Sequence, residues 1–218
     1  MMFMLILSIL LSNDLTAAQQ ICGRLYLGTN SLELQVLHRE YDRTHNPPIA
    51  TDTIRTKKFN DISFTQNIQK EENNKIIFFL TISGVDQKTG KKEIFARLNY
   101  SLINSKHIDM GYTNTRIPFR QNGISKLLYQ EMLRLNPNVN VISKSLKETN
   151  LTIFKRNLKK PFNNEHLIAA IKQTPAYRSL LSFGFTTVKI AYFSENTEGE
   201  MEISFDVFRT TTNSNVFE

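Results

Sequence analysis

The sequence is poor in residues that bind metals or form disulfides. Only one cysteine, Cys22, occurs among the 218 residues, so an intramolecular disulfide is impossible. A zinc site of the finger type is excluded too, because it needs more than one thiolate. The four histidines show none of the paired spacings typical of metal ligands: His38, His45, His107 and His166. The sequence therefore predicts no metal site.

Long apolar runs are also scarce, and the one present lies at the start of the chain, from Met1 to Leu11. It is too short to span a bilayer as a helix. Small residues precede a cleavage position after Ala18, although no Lys or Arg precedes the run. The pattern predicts a signal peptide over residues 1–18, a single domain over 19–218, and export to the periplasm or the medium. The alternatives are a cytoplasmic protein whose apolar run is a buried first strand or helix, and a wrongly chosen start codon.

Acidic residues are outnumbered by basic ones. The chain has 27 Lys and Arg against 20 Asp and Glu, which gives a net charge of +7 and a pI near 9.5. That balance favours an anionic partner such as a nucleotide cofactor, a membrane surface or nucleic acid. Six basic residues lie in the segment from Lys144 to Lys160. They form either a face exposed to solvent or a face that contacts phosphate groups or an acidic substrate. No clustered aromatic platform lies among them, which disfavours nucleic acid. No transmembrane segment is expected in the mature chain.

The stretch from Ile117 to Leu135 organises the rest of the chain: a strand-like segment runs into a glycine turn and then into an amphipathic helix. Arg120 and Gly123 stand where the helix begins, so the free amides there would face an incoming anion. Gly123 has no Cβ to keep a phosphate away, and Ser125 is small. This arrangement predicts a pyrophosphate cradle, although an arginine and a glycine near a helix start also occur together by chance.

Two segments resemble a known family. The residues from Phe119 to Ser125, FRQNGIS, resemble motif A of the GNAT superfamily of N-acetyltransferases, whose pattern is Arg/Gln-x-x-Gly-x-Gly/Ala; here Ser125 replaces the last glycine or alanine. The segment from Thr174 to Phe185 resembles the last helix of that family, which ends in Gly-Phe before a strand. The resemblance covers roughly residues 75–209. It implies an α/β (α+β) fold with a mixed, mostly antiparallel central sheet and helices on both faces.

The resemblance also implies a cofactor. Acetyl-CoA or another acyl-CoA would bind at the cradle, with main-chain amides holding its pyrophosphate, and no metal is implied. The acyl-pantetheine arm would lie between two splayed strands, near Tyr112 to Thr115, unless the sheet is fully paired there. The implied cofactor-binding residues are Thr113, Thr115, Ile117, Arg120, Gln121, Asn122, Gly123, Ile124 and Ser125.

Acyl transfer to an amine needs a base for the ammonium and an acid for the leaving thiolate. The resemblance implies a carboxylate base on the strand before motif A, which is Asp109, with His107 as a weaker candidate. The family acid is a tyrosine four residues before the Gly of Gly-Phe, where this chain has Leu180; Tyr177, about one helical turn earlier, is the substitute candidate. The resulting hypothesis is an N-acyltransferase acting on a small-molecule or peptide amine. The alternative is an exported binding or interaction protein that kept the fold and lost the chemistry.

Hydrophobic periodicity predicts the elements around this site. A helix is expected over Ser31–Tyr41 and a polar surface excursion over 49–74. Val139–Ser143 is expected to form a strand parallel to the one before the cradle, since a helix connects the two. The other predicted strands are 21–27, 75–83, 93–102 and 107–113; a helix over 164–173 precedes a short one capped by Thr174, and a hairpin of 188–193 and 201–209 follows.

Overall fold

The computed structural model describes residues 31–70 and 76–210. The predicted signal peptide and the predicted strand at 21–27 lie outside these residues. The described strands are β1 (Ser31–Asp42), β2 (Ile49–Lys70), β3 (Ile76–Asp86), β4 (Lys92–Asn104), β5 (His107–Thr115), β6 (Val141–Ser145), β7 (Phe185–Glu195) and β8 (Met201–Arg209). The helices are α1 (Ile124–Leu135), α2 (Glu148–Asn157), α3 (Asn164–Lys172) and α4 (Pro175–Leu181), and a 3-10 helix spans Ile117–Phe119. Within the two described ranges, no helix is long and apolar enough to cross a membrane.

The strands form one mixed sheet in the order β1-β2-β3-β4-β5-β6-β8-β7. The pairs β1–β2, β6–β8 and β7–β8 are antiparallel, whereas β5 and β6 run parallel. The parallel pair confirms the prediction made from the crossover through α1. The fold is therefore α/β with a mostly antiparallel sheet. Helices on both faces of the sheet stay a prediction.

Most elements after residue 76 lie where the hydrophobic pattern predicted them. In α1, the apolar stripe of Ile124, Leu128 and Met132 is buried. Thr174 caps α4, because its side chain accepts a hydrogen bond from the N–H of Tyr177 (3.3 Å). The antiparallel pairing of β7 with β8 confirms the predicted hairpin.

Two predictions at the N-terminal end were wrong. The residues predicted as a helix form β1, in which Leu34 and Val36 are buried while Leu32 and Leu37 are half-buried. Burial of alternate residues is the period of a strand. The predicted surface excursion is β2, a strand of 22 residues rich in Thr and Ile that pairs along the whole of β1. Its many exposed polar residues hid it from a search for apolar runs.

The described residues fall into two compact units. The first consists of residues 31–68, 78–98 and 113–128. Its core contains three fully buried phenylalanines: the ring centroid of Phe95 lies 4.8 Å from that of Phe59 and 4.9 Å from that of Phe119, in edge-on contacts. Because Phe119 ends the 3-10 helix, this cluster fixes the start of the loop that leads into α1.

The second unit consists of the described part of 69–77 together with 99–112 and 129–210. Helices α3 and α4 pack against β7, and their inner side chains, among them Leu167, Ile171 and Leu180, are buried. The ring of Phe193 in β7 contacts that of Phe154 in α2, with 6.5 Å between centroids. The helical segment after β6 is therefore anchored on the final hairpin.

Candidate functional site

The loop between the 3-10 helix and α1 is held by the side chain of Asn122. Its Oδ1 accepts a hydrogen bond from the main-chain N–H of Gln35 in β1 (2.9 Å), and its Nδ2 donates to the carbonyl of the same residue (2.8 Å). The flanking residues Gln121 and Gly123 have left-handed backbones, with φ of 66° and 71°. Sequence reasoning missed Gln35 because β1 was predicted to be a helix. Since β1 engages the side chain of Asn122, the predicted cofactor contact of this residue can come only from its main-chain amide.

Around Asn122 the backbone leaves a row of unpaired donors. Among the described residues, none accepts a hydrogen bond from the N–H groups of Gln121 to Ser125. The first bonded amide is that of Lys126, which donates to the carbonyl of Gly123 (3.0 Å). A Cβ placed on Gly123 would meet no atom within 4 Å. The donors therefore border open space at a helix N-terminus, where the partial positive charge favours an anion.

The other predicted cofactor-binding residues lie around this loop. Arg120 is exposed, and its Nε donates to the carbonyl of Thr115 (3.3 Å); its terminal nitrogens have no partner within the described ranges. The hydroxyls of Thr115 and Ser125 are 2.9 Å apart, which ties α1 to the end of β5. The structure thus brings Arg120, Thr115 and Ser125 together. Ile117 is 57% exposed, and Thr113 is half-buried in β5.

The parallel pairing ends before β5 does. The register between β5 and β6 stops at Met110 opposite Lys144, whereas β5 continues beyond it. The carbonyl of Gly111 accepts a hydrogen bond from Nζ of Lys144 (3.3 Å), and the N–H of Tyr112 donates to the side chain of Asn99. Side chains therefore engage the carbonyl of Gly111 and the N–H of Tyr112. The contact of this segment with a pantetheine arm stays a prediction.

Lys144 is a buried cation that sequence reasoning missed as a site residue. It is 6% exposed and lies on the same face of β6 as the buried Ile142. Burial lowers the pKa of its ammonium from the ordinary 10.5 to about 8, and the carboxylate of Asp109 opposes that shift. The sequence contains a signal for this burial. Lys144 follows Ile142 by two residues in a strand, and alternate residues of a strand lie on the same face.

Replacing Lys144 with methionine is expected to stabilise the protein at pH 7 by about 1–3 kcal/mol, because the charged group is held in a site that disfavours its charge. The unfolded chain keeps the proton up to pH 10.5, whereas the folded protein releases it near pH 8. In that window the unfolded state binds more protons, so this lysine makes wild-type stability rise with pH. Urea unfolding from pH 7 to 10 should therefore show the advantage of Lys144→Met shrinking.

The exposed Lys92 provides a matched control for this prediction. Lys92→Met should match the wild type in stability at every pH tested. An advantage of Lys144→Met that stays constant or grows from pH 7 to 10 would contradict the assignment of a lowered pKa.

A row of polar side chains crosses four strands of the second unit. The register places Asp109 of β5 opposite Ser143 of β6, Ser143 opposite Asp206 of β8, and Asp206 opposite Lys189 of β7. The Oγ of Ser143 donates to Oδ1 of Asp206 (2.6 Å), and Nε2 of His107 lies 2.6 Å from the same Oγ. The two base candidates, Asp109 and His107, therefore share one face of β5 next to Ser143. In residues 31–70 and 76–210, no group of three or more His, Cys, Asp or Glu could hold a metal ion.

The hydroxyl of the predicted acid, Tyr177, is hydrogen-bonded within the protein. It is 4% exposed, and its hydroxyl donates to the carbonyl of Thr186 in β7 (3.0 Å). Burial raises the pKa of this phenol. Leu180, at the position of the family tyrosine, is fully buried. Because β6 and β8 separate β7 from β5, the strand that Tyr177 contacts lies roughly 14 Å from the strand of Asp109. The two predicted catalytic residues are therefore not brought together, and their roles stay predictions.

A cavity of about 340 Å³ opens where β6 ends and α2 begins. Lys147 and Lys155 line it together with Glu200 and Glu202, so its walls carry charges of both signs. The half-exposed ring of Tyr192 adds an aromatic surface. A concave site of this composition suits a small polar ligand, and its charges favour neither an amine nor an anionic group.

No family model matches the sequence, and no curated protein matches it. Among solved structures, the chain is similar to one described as a "putative streptothricin acetyltransferase from Bacillus anthracis str. Ames in complex with acetyl coenzyme A". The identity is 11%, the match covers 82% of this chain and 89% of that chain, and the TM-score is 0.34. A similarity of this size carries no argument, so the case for a function rests on the geometry of the site.

Proposed function

We propose that the protein is an N-acyltransferase that binds an acyl-CoA at the start of α1 and transfers the acyl group to an amine. The observation that supports this proposal most is the row of unpartnered amides around Gly123, which borders open space. A pyrophosphate brings several acceptor oxygens and a negative charge to such a site. The exposed guanidinium of Arg120 adds donors suited to phosphate oxygens.

Contacts within the protein hold the cradle in place. The side chain of Asn122 fixes the middle of the loop to Gln35, and the ring of Phe119 fixes its start in the phenylalanine cluster. The contact between Ser125 and Thr115 fixes its end. A site that is already ordered loses less conformational entropy on binding. This supports binding of the cofactor at the cradle.

The proposed reaction has a simple balance of bonds. The amine nitrogen attacks the thioester carbonyl carbon, the carbon–sulfur bond breaks, and CoA leaves as a thiolate that takes up a proton. The acceptor ammonium must first lose a proton to a base, for which the family resemblance suggests Asp109. A small-molecule or peptide amine is the proposed acceptor, as the family resemblance suggests.

Isothermal titration with acetyl-CoA and longer acyl-CoAs tests the proposal. We expect saturable binding to the wild type, and binding about 10-fold weaker to Arg120→Ala, because a charge-assisted hydrogen bond contributes roughly 1.5–3 kcal/mol. Arg97, exposed in β4, supplies the control: Arg97→Ala should bind like the wild type. If the wild type binds no acyl-CoA at high micromolar concentration, the proposed enzymatic function is wrong.

A second candidate function is a non-catalytic binding protein on the same fold. The observation that favours it is the engagement of the Tyr177 hydroxyl by Thr186, with Leu180 at the usual place of the acid. This candidate predicts that acyl-CoA binds but that no amine accelerates release of free CoA thiol. Thiol release from acetyl-CoA across a panel of amines, read with a chromogenic disulfide, separates the two functions.

A further inference from the structure

The cavity where β6 ends and α2 begins has a basic wall and an acidic wall. The basic wall consists of Lys147, which directly precedes α2, and Lys155, which lies two turns along that helix. The acidic wall consists of Glu200, which directly precedes β8, and Glu202 within this strand. All four residues belong to the second unit. The two signs of charge are therefore contributed by different elements of one compact unit.

The two walls do not pair with each other. In the part of the chain that the structure describes, the side chains of Lys147, Lys155 and Glu202 form no ion pair and no hydrogen bond. The carboxylate of Glu200 accepts a hydrogen bond only from Nδ2 of Asn196 (3.0 Å), which is a neutral amide. Each lysine nitrogen therefore lies more than 4.0 Å from the glutamate oxygens. The cavity thus offers unpaired charges of both signs.

Contacts beneath the cavity fix α2 relative to β8. The main-chain N–H of Leu146 donates to the carbonyl of Ile203 (3.1 Å), and both side chains are buried. Further along α2, the ring of Phe154 packs against that of Phe193 in β7. Because the two elements are held in this way, the gap between the walls is set by the backbone. A ligand that carries both charges can bridge this gap.

Two serine hydroxyls also line the cavity. Ser145 of β6 and Ser204 of β8 are opposite each other in the register. Across residues 31–70 and 76–210, neither hydroxyl has a hydrogen-bond partner. A hydroxyl donates one hydrogen bond and accepts two, which suits the N–H and the carbonyl of a peptide group. The half-exposed ring of Tyr192, opposite Ser204 in β7, adds apolar surface for a side chain.

We propose that this cavity binds a short peptide with free ends, such as a dipeptide. The ammonium of the peptide contacts the acidic wall, its carboxylate contacts the basic wall, and its peptide group contacts the serine hydroxyls. A ligand with a charge of one sign would be attracted by one wall and repelled by the other. The volume of about 340 Å³ lies within the usual range for small-molecule sites, roughly 300–1,000 Å³. The inference concerns the second unit alone and does not depend on the proposed acyl transfer.

Isothermal titration with L-alanyl-L-alanine, in the absence of acyl-CoA, tests the proposal. We expect saturable binding at one site. The N-acetylated dipeptide lacks the ammonium, and the dipeptide amide lacks the carboxylate. Each should bind about 10-fold more weakly, because the charge-assisted hydrogen bonds to one wall are lost. The compound 6-aminohexanoate carries both charges but no peptide group, and it should also bind more weakly than the free dipeptide.

Single substitutions assign each end of the peptide to its wall. Glu202→Gln and Lys155→Met should each bind the free dipeptide about 10-fold more weakly than the wild type. Glu202→Gln should also lose most of the preference for the free over the N-acetylated dipeptide, and Lys155→Met most of the preference for the free dipeptide over its amide. Glu198 and Lys159 are exposed and lie outside the cavity, so Glu198→Gln and Lys159→Met are the controls and should bind as the wild type does.

The inference is wrong if the wild type binds no dipeptide at about 10 mM, or if both blocked dipeptides bind as tightly as the free one. It is also wrong if Glu202→Gln and Lys155→Met both bind the free dipeptide as the wild type does. Equal affinity for 6-aminohexanoate would mean that the peptide group is not recognised, which overturns the assignment to a peptide. The titration with acetyl-CoA tests the proposed function separately, so the two proposals can fail independently.

Discussion

Replacing Gly123 with valine is expected to weaken acyl-CoA binding by at least about 100-fold. A branched side chain would occupy the open space beside the unpaired amides, where no atom now lies within 4 Å of a Cβ position. A phosphate could then no longer approach the backbone closely. Most of its hydrogen bonds with the amides of Gln121–Ser125 would be lost together. The left-handed backbone, at φ +71°, adds a strain of about 1–2 kcal/mol to the folded protein. Titration with acetyl-CoA measures the binding, and urea unfolding measures the strain.

Gly90 offers a matched control within the same unit. Its φ of +68° is nearly the same, a Cβ there also meets no atom within 4 Å, and it lies in the turn between β3 and β4. Gly90→Val should therefore lose similar stability and bind acetyl-CoA normally. If folded Gly123→Val bound acetyl-CoA as tightly as Gly90→Val, the cradle would not be the pyrophosphate site.

Truncation of Phe119 to alanine is expected to destabilise the protein by about 3–5 kcal/mol. The ring is fully buried and packs edge-on against Phe95 (4.9 Å) and Phe59 (5.8 Å), so its removal leaves a cavity lined by aromatic rings. Urea unfolding at pH 7 measures the loss. A value below 1 kcal/mol would mean that the cluster relaxes around the missing ring.

Phe119 also positions the cradle, which a milder substitution can test. Phe119→Leu should stay folded and bind acetyl-CoA several-fold more weakly, because the 3-10 helix that starts the loop shifts. Phe185, fully buried in β7 of the second unit, is the control: Phe185→Leu should lose comparable stability with unchanged binding. Equal affinity in the two variants would contradict the positioning role.

The elements that sequence analysis predicted well are those whose burial follows a simple period. In α1, apolar residues recur with the spacing of a helix, and in β8 the buried Ile203, Phe205 and Val207 alternate with less buried neighbours. The parallel pairing of β5 with β6 followed from the length of the connection between them. The unpaired amides before Lys126 could be predicted for the same reason, since a helix start determines where unpaired amides lie.

The remaining features depend on pairings that are distant in sequence. The hairpin of β1 and β2 buries few of its side chains, so its strands carry little apolar alternation. The anchor between Asn122 and Gln35 joins residues 87 positions apart, and the contact of Ser143 with Asp206 joins residues 63 positions apart. Neither partner can be found from local patterns, because each depends on the strand order of the finished sheet.

The hydrogen bonds between Asn122 and Gln35 also occupy part of the edge of β1. Among the described strands, β1 lies at the edge of the sheet next to β2, and an edge strand exposes main-chain groups with which another polypeptide could pair. The main-chain N–H and carbonyl of Gln35 are both hydrogen-bonded to the carboxamide of Asn122. A strand added by a second molecule would have to displace that carboxamide and loosen the loop it holds. One side chain therefore both blocks extension of the sheet at Gln35 and fixes the shape of the loop before α1.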